Sequence, residues 1–371
     1  MLVKAKTSNS HRSFFYKMAG FATERPSAAI LNPAPSEMMQ LTDIDDELAN
    51  WNDLQPTSPS WGLLLGNGAS LAVWKNFAYD SLFELSQTTR NNPMSRTELA
   101  VFSAMETSNF EPVLAALKSA MRVNAALTIS SSSPRNRYFA IKEALIHAIR
   151  SVHIPWKLIE AKALAHLNSA LQPYSSVYSS NYDLLAYWAV MHAPEHFDDL
   201  FNDEATFNLH AAQAKATRVL YLHGGMHLVK NLDGTVRKLL SSESTLLGSF
   251  AINALDDVPL FVCEGTSAEK LKMIRTSDYL SFCHAQLAQH SDALCIFGHA
   301  LGKQDAHILA AIRQAKPQRI AISVLPRSAA FVDFQKRHYL ELFGDLQTQL
   351  SFFDAKSHPL GSPDLLVKAN P

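Results

Sequence analysis

The chain has 371 residues, of which 47% are hydrophobic and 18% charged, and its formal net charge at pH 7 is −1. This length predicts about two domains, or one large domain with an insertion. The balanced charge argues against a large basic surface for nucleic acid and against an acidic tail, although it does not exclude a local basic patch.

Cysteine content and hydropathy exclude two further classes of protein. Cys263, Cys283 and Cys295 include no CxxC pair, so they cannot supply four thiolates to a structural zinc ion. Their odd number argues against a disulfide framework and favours reduced thiols in a cytoplasmic protein. No apolar run is long enough to span a membrane, and no secretory signal is recognisable. We therefore expect a protein without a metal cofactor and without a membrane segment.

Residues 1–60 are predicted to be an N-terminal extension that is partly disordered, because prolines interrupt its first part. Apolar residues at helical spacing predict a short helix over residues 40–54. These apolar residues are Leu41, Ile44, Leu48 and Trp51.

The first clear strand is predicted over residues 61–65, a continuous apolar run typical of a strand covered on both faces. It leads into Gly66-Asn67-Gly68-Ala69-Ser70. Glycines at such a point permit a tight turn and let backbone N–H groups approach a phosphate. The motif lacks the third glycine of the dinucleotide fingerprint, so a glycine turn that binds no ligand is an equal alternative.

Residues 78–171 are predicted to be almost entirely helical, with helices over 110–127, 138–152 and 158–171 and a loop over 130–134. This block is too long for a simple crossover between two strands. We interpret it as a helical insertion subdomain.

Alternating strands and helices follow residue 173. Strands are predicted over residues 176–179, 218–222, 260–263, 293–297, 319–325 and 350–353. Helices are predicted over residues 184–191 and 307–315. A capping box is predicted at Thr266 and Glu269, and a hairpin turn over residues 231–234. This alternation predicts an α/β fold with a Rossmann-like open parallel sheet and helices on both faces. Residues 61–77 and 172–371 would form that domain.

Polar residues that follow the strands are the candidate site residues, because open α/β sheets bind ligands beyond the carboxyl ends of their strands. Asn181 can donate and accept hydrogen bonds, and so could orient a ribose hydroxyl or a water. Taken alone, the position of Asn181 and Asp183 favours a cap of the helix that follows, and both roles could hold, with Asp183 as the cap and Asn181 facing the cleft. His223 precedes two glycines and is the candidate proton acceptor, with His227 as the weaker alternative.

A second glycine-containing loop, Gly298-His299-Ala300-Leu301-Gly302, follows the predicted strand over residues 293–297. Its backbone could line an adenosine or ribose site. Asp305 comes shortly after this loop and could contact the ligand. It could also be the N-cap of the helix predicted over residues 307–315.

The order of these motifs resembles that of the sirtuin-like NAD-consuming family, and in particular of bacterial sirtuin-like proteins of anti-phage defence. The resemblance is carried by LLLGNGAS, SSNYDLL, YLHGGMHL and FGHALGKQDAHI. It implies that the glycine motif from Gly66 to Ser70 surrounds the NAD pyrophosphate. It also implies that Asn181 and Asp183 contact the nicotinamide end of NAD, and that His223 is the catalytic base.

Two departures from the deacylating sirtuins shape the functional expectation. Gly298, His299 and Ala300 stand where those enzymes carry Gly-Thr-Ser near the adenine-side ribose, and the two cysteine pairs of their structural zinc are absent. The resemblance therefore implies an NAD+ glycohydrolase of anti-phage defence, with NAD+ as its substrate, rather than a protein deacylase or an ADP-ribosyltransferase. A module that senses NAD or ADP-ribose without cleaving it, and an ordinary nucleotide-binding protein, are the alternatives.

The defence relatives also give an expectation about assembly. Such proteins often form oligomers or act with a partner protein. We therefore expect the helical insertion over residues 78–171 to contact either other copies of this chain or a partner defence protein.

Overall fold

Ten strands lie within the residues that the structure describes. The structure is a computed structural model, and it describes residues 47–54, 61–78, 81–90, 93–209, 217–231, 233–239, 258–262 and 265–368. In chain order the strands are β1 (Gly62–Leu65), β2 (Ser176–Ser179), β3 (Phe197–Asp198), β4 (Thr217–Tyr221), β5 (Gly224–Lys230), β6 (Val236–Lys238), β7 (Val258–Phe261), β8 (Leu294–Phe297), β9 (Arg319–Val324) and β10 (Gln349–Asp354).

Seven of these strands form one parallel sheet, in the order β10-β9-β8-β1-β2-β4-β3. All residues of β1 and β8 are buried, as their continuous apolar sequences require of strands that helices cover on both faces. The predicted α/β class with a Rossmann-like parallel sheet is thus confirmed.

Twelve helices accompany the strands in the described residues. They are α1 (Trp51–Leu54), α2 (Asn67–Val73), α3 (Leu82–Thr88), α4 (Arg96–Ala104), α5 (Phe110–Ala126), α6 (Ser132–Val152), α7 (Ala161–Leu171), α8 (Leu185–His192), α9 (Ser267–Arg275), α10 (Asp278–Ala288), α11 (Ala306–Ala315) and α12 (Ala329–Phe343). The described residues between β1 and β2 contain helices and no strand. That this block is a separate subdomain remains a prediction.

Helix boundaries differ from the predicted ones at two places in this block. Helix α6 begins at Ser132, so the loop predicted over residues 130–134 is present at residues 130–131 but wrong at residues 132–134. Pro134 is tolerated there because the first N–H groups of a helix have no partner within it. Helix α7 begins at Ala161, and the residues just before it form a short 3-10 turn, Trp156–Leu158.

The helix predicted over residues 40–54 is shorter in the described part of the chain. Only Trp51–Leu54 are helical, and Ala49 instead makes a parallel bridge to Phe353. Pairing with the edge of the sheet has prevailed over the helical spacing of the apolar residues. Residues 40–46 and the predicted extension before them lie outside the described residues.

A second, smaller sheet is antiparallel, with the order β6-β5-β7. The hairpin turn predicted over residues 231–234 joins β5 to β6, and the N–H of Asn231 donates to the carbonyl of Thr235 at 2.9 Å. The strand predicted over residues 260–263 corresponds to β7, which pairs with β5 and not with the parallel sheet. A run of four apolar residues predicts a strand but not its partner, so the assignment to the main sheet was wrong.

The ends of four neighbouring strands are aligned. Leu65 of β1 pairs with Ser179 of β2 and with Phe297 of β8, and Ser179 pairs with Tyr221 of β4. The chain continues from β1 towards β2 on one side, while β8 lies on the other, so the strand order reverses at β1. Ligands of open α/β sheets bind at such a point.

Cys283 and Cys295 are buried free thiols. Burial raises the pKa of the Cys283 thiol to about 12, which makes it inert as a nucleophile. Cys263 lies outside the described residues. None of the described helices combines the length and the apolar character that crossing a membrane requires.

Candidate functional site

Three polar side chains at the ends of β1 and β2 form one hydrogen-bonded group, the Ser70 cluster, which consists of Ser70, Asn181 and Asp183. The Ser70 hydroxyl donates to Oδ2 of Asp183 at 2.5 Å and accepts from Nδ2 of Asn181 at 3.0 Å. The second hydrogen of that amide goes to the Gly66 carbonyl at 3.0 Å. Two strand ends are thereby tied together.

Asp183 is not the N-cap of helix α8, as one of the sequence alternatives proposed, because Leu184 occupies that position, but its carboxylate does bind the first turn of the helix. Its Oδ1 accepts from the N–H of Leu185 at 2.9 Å, while Oδ2 is held by Ser70. Burial raises the pKa of Asp183, and the hydrogen bonds from Ser70 and Leu185 oppose that rise. Since both oxygens are used inside the protein, Asp183 would act on a ligand through Ser70.

The predicted glycine turn forms the first turn of helix α2. The N–H groups of Gly66, Gly68 and Ala69 all donate to protein carbonyls, and the Asn67 side-chain amide donates to a carbonyl of the following turn at 3.2 Å. A Cβ on Gly68 would lie 2.6 Å from Cα of Gly298. The glycines therefore let two loops touch, and in this conformation those three N–H groups are not open to a pyrophosphate.

The second glycine loop packs directly on the first. Gly298 has φ of +67°, a left-handed conformation that favours glycine. A Cβ at this position would also lie 2.5 Å from the backbone nitrogen of Ala69. Ala300 is exposed, and its carbonyl is hydrogen bonded to the His338 ring at 2.9 Å.

Five titratable side chains lie together beyond β4 and β8, and we call them the histidine cluster. They are His223, Lys270, His299, Asp305 and His307. Nε2 of His223 lies 2.8 Å from Nε2 of His307. Nζ of Lys270 lies 3.0 Å from Oδ1 of Asp305, and Nε2 of His299 lies 4.0 Å from Oδ2 of the same carboxylate.

Burial sets the charge state of this cluster. It lowers the pKa of His223 well below the ordinary value, and the Lys270 ammonium lowers it further. It also lowers the pKa values of His299 and His307 to about 4. Burial raises the pKa of Asp305, but Lys270 and the nearby imidazoles lower it more. At neutral pH the site therefore holds three neutral imidazoles beside one lysine–carboxylate ion pair.

Neutral imidazoles in contact must share their protons in a defined way. Nδ1 of His307 lies 3.1 Å from the Ser267 hydroxyl, which also accepts from the His307 backbone N–H at 2.8 Å. Two proton arrangements satisfy these contacts. In one, Nδ1 of His307 donates to Ser267, Nε2 of His223 donates to His307, and Nδ1 of His223 keeps its lone pair. No described residue makes a hydrogen bond to that Nδ1, so in this arrangement His223 can accept a proton.

Gly66 links the two clusters. Its carbonyl accepts from Asn181, and a Cβ on it would lie 2.4 Å from Cα of His299. From His299 the contacts continue to Asp305 and then to His223. Within the described residues no hydrogen bond joins Asn181 directly to His223. The sequence-predicted residues thus occupy one edge of the sheet, but in two separately bonded groups.

Asp305 does not act as a helix cap through its side chain. It precedes helix α11, yet its carboxylate makes no capping hydrogen bond and pairs with Lys270 instead. His227, the weaker histidine candidate, is buried between the rings of Tyr187 and Tyr221, and neither of its ring nitrogens has a hydrogen-bond partner among the described residues.

Three residues of the site were missed in the sequence. Lys270 and Ser267 come from helix α9, whose capping box at Thr266 and Glu269 was predicted and is present. His307 was assigned only to the start of a helix. The one sequence signal that could have placed His307 among the site residues is its position two residues after Asp305.

A small cavity borders the Ser70 cluster, and no residue of the histidine cluster lines it. Ser70 and Asn181 are the polar part of its wall. The other lining residues are Leu65, Ala69, Val73, Leu167, Leu171, Leu185, Ala186, Ala189 and Leu360. These apolar walls suit packing between helices better than they suit a charged dinucleotide.

Comparison with known proteins shows the family to which the chain belongs. No curated protein matches the chain. A solved structure described as "Structural Basis for the Mechanism and Regulation of Sir2 Enzymes" is 14% identical, covers 83% of this chain and 91% of that chain, and has a TM-score of 0.36. Residues 63–360 match the family described as "Domain of unknown function (DUF4917)". Because this match covers most of the chain, the protein belongs to the DUF4917 family.

Proposed function

We propose that this protein cleaves NAD+ into nicotinamide and ADP-ribose. The observation that carries the proposal is the alignment of the strand ends, which brings the Ser70 cluster and His223 to neighbouring positions where the strand order reverses. Open sheets bind nucleotides at that point. The sirtuin-like sequence motifs occupy these same strand ends.

The reaction breaks the bond between nicotinamide and the ribose and adds water to the ribose carbon. Positive charge develops on the ribose, and nicotinamide leaves as a neutral amine, so no strong acid is required. His223 would take the proton of the water at Nδ1. General-base assistance of this kind contributes roughly 10²–10⁴-fold to the rate.

Asn181 would orient the ribose or the attacking water. Both hydrogens of its amide are already given to Gly66 and Ser70. Its Oδ1 is the remaining polar atom, so it would accept a hydrogen bond from a ribose hydroxyl or from the water. The Ser70 cluster fixes the direction of that oxygen.

A module that binds NAD or ADP-ribose without cleaving it is the second candidate. One observation favours it: the burial of His223, which is only 4% exposed. Cleavage requires a conformation in which substrate reaches His223. Binding without cleavage requires only that the nucleotide reach the sheet edge.

Anti-phage defence by NAD+ depletion is the biological setting that we attach to this proposal. Contacts with other copies or with a partner protein would then use the helical block between β1 and β2. Val123, Leu127 and Ile129, near the tip of the α5–α6 pair, are each more than half exposed. Sizing of the purified chain, with and without NAD+, tests for self-assembly.

The direct test is to incubate the tag-free chain with NAD+ and to quantify nicotinamide and ADP-ribose by chromatography. We expect equal amounts of both products from the wild-type chain and far less of both from His223→Ala or Asn181→Ala. His192→Ala, which changes an exposed histidine of α8, is the control and should remain active. Nucleotide binding without product would select the sensing module. If the chain neither binds NAD+ nor releases product, both candidates are refuted.

A further inference from the structure

We propose that His223, Asp305 and His307 bind a divalent transition-metal ion such as Zn²⁺. One ligand atom from each side chain can be chosen so that all three lie within 4.8 Å of one another. No metal was expected from the sequence, because it holds no cysteine pair. This inference goes beyond NAD+ cleavage and does not depend on it.

The distances suit a metal centre. Around a tetrahedral zinc ion bound at about 2.1 Å, neighbouring ligand atoms stand roughly 3.4 Å apart. The two Nε2 atoms of His223 and His307 are 2.8 Å apart, so both imidazoles already converge on one point. A modest movement of the half-buried Asp305 carboxylate would complete a site of two nitrogens and one oxygen. Such a set leaves a coordination position free for water or a ligand.

The surroundings of His307 resemble the outer hydrogen bonds of metal-binding histidines. A ligating imidazole usually donates its other ring N–H to a fixed acceptor, which sets its tautomer and its orientation. Nδ1 of His307 lies 3.1 Å from the Ser267 hydroxyl, and the backbone N–H of His307 holds the same hydroxyl at 2.8 Å. With Nδ1 protonated, the lone pair on Nε2 points towards His223.

Lys270 supplies a charge that the metal would have to oppose. Its ammonium lies 3.0 Å from Oδ1 of Asp305, and His299 lies 4.0 Å from Oδ2. One carboxylate therefore serves two neighbours. Removing the ammonium should therefore strengthen metal binding. If the residues served only the lysine–carboxylate ion pair, the same change would disorder them and no tighter metal binding would be seen.

Metal binding and the base role of His223 exclude each other in one molecule. A metal on Nε2 leaves the ring proton on Nδ1, which then cannot accept a proton from water. Metal occupancy is therefore measurable separately from NAD+ cleavage, and failure of either proposal leaves the other standing.

The experiment titrates the chelator-treated, tag-free chain with Co²⁺ and follows the visible absorption of the ion, with Zn²⁺ as the competitor. We expect one ion per chain. His307→Ala and Asp305→Asn should weaken binding by more than the roughly 10- to 100-fold typical of losing an outer hydrogen bond, and Ser267→Ala by about 10-fold. Lys270→Met should bind more tightly than the wild type. His192→Ala is the control for surface histidines.

Thermal melting of each variant without metal shows whether it is folded. A folded wild-type chain that binds no Co²⁺ would overturn the proposal. Equal affinity in wild type, His307→Ala and Asp305→Asn would overturn it too, because the ion would then be held elsewhere. Weakening by Ser267→Ala, which keeps all three ligands, adds support that a loss of fold could not imitate.

Discussion

The Ser70 cluster and the histidine cluster lie at the same edge of the sheet but use their polar groups differently. In the Ser70 cluster the hydroxyl, the amide hydrogens and both carboxylate oxygens are all satisfied within the protein. In the histidine cluster the carboxylate of Asp305 has one close partner, and its second oxygen is 4.0 Å from the nearest imidazole.

This difference assigns different work to the two clusters. A closed network holds strand ends in place, and it offers a ligand only the remaining oxygen of Asn181. An incompletely paired group of neutral imidazoles and one carboxylate can take up a proton or a cation. We therefore propose that the first cluster supports the site and that the second carries its chemistry.

The largest expected effect is on turnover, in the histidine cluster. His223→Ala should lower kcat for NAD+ cleavage by roughly 10²–10⁴-fold, because it removes the general base. KM should change little, since the interaction is made mainly in the transition state. Steady-state kinetics measures the split. A comparable rise in KM with an unchanged kcat would show that His223 serves binding instead.

The contact between the two glycine loops gives the next largest effect. Gly298→Ala combines a left-handed backbone with a Cβ 2.5 Å from the Ala69 nitrogen, and should reduce the free energy of unfolding by about 3 kcal/mol. Gly234→Ala is the matched control. Gly234 also has a positive φ, of +92°, but nothing lies within 4 Å of its added Cβ. Chemical denaturation should show the smaller loss there, and equal losses would mean that the loop contact adds nothing.

Acid should destabilise the fold next to the Ser70 cluster, through protonation of His153. Nε2 of His153 accepts from the N–H of Leu184, Nδ1 donates to the carbonyl of Ile154, and burial lowers the pKa of His153 to about 4. Since the folded pKa lies below the unfolded value, the stabilisation is present above pH 6.5 and is lost as the pH falls towards 4. This loss amounts to about 3 kcal/mol.

His153→Gln keeps a donor and an acceptor but does not titrate. Unfolding curves at several pH values between 6.5 and 4 should therefore show a shallower loss of stability for this variant. An unchanged slope would show that other buried histidines account for the acid sensitivity.

A smaller loss is expected from opening the Ser70 cluster. Ser70→Ala leaves Oδ2 of Asp183 and one hydrogen of the Asn181 amide without their partner, and should cost about 2 kcal/mol of stability. Denaturant titration measures it. NAD+ cleavage should fall only in part, because His223 is untouched. A complete loss of cleavage in a variant as stable as the wild type would show that Ser70 takes part in the reaction itself.

The smallest effect concerns the helix that presents Lys270 and Ser267. Thr266→Ala removes the N-cap of α9 and should cost about 1 kcal/mol. The same variant should weaken Co²⁺ binding slightly, since Ser267 orients His307. A stability loss without any change in metal affinity would separate the cap from the histidine cluster.

Sequence patterns predicted the parts of the site that strands carry. β1, β2, β4 and β8 were recognisable as short apolar runs, and parallel strands bring the residues after them to one edge. Asn181 and Ser70 were expected near each other for that reason, and they are hydrogen bonded. The register of the strands, and not any single motif, makes this part predictable.

The rest depends on how helices dock, which local patterns do not reveal. Lys270 and Ser267 reach the site because α9 packs against α11, and periodicity predicts a helix but not its neighbour. The pairing of β7 with β5 was missed for the same reason. The sequence also did not reveal that the N–H groups of the glycine turn are already hydrogen bonded, because the distant loop that Gly298 begins supplies one of their acceptors.

A crystal structure with bound ADP-ribose tests the central claim most directly, since the product binds without being consumed. We predict its terminal ribose, the one that bears nicotinamide in the substrate, within hydrogen-bond reach of both Oδ1 of Asn181 and Nδ1 of His223. ADP-ribose bound away from these two atoms, or no bound nucleotide at saturating concentration, would contradict the account.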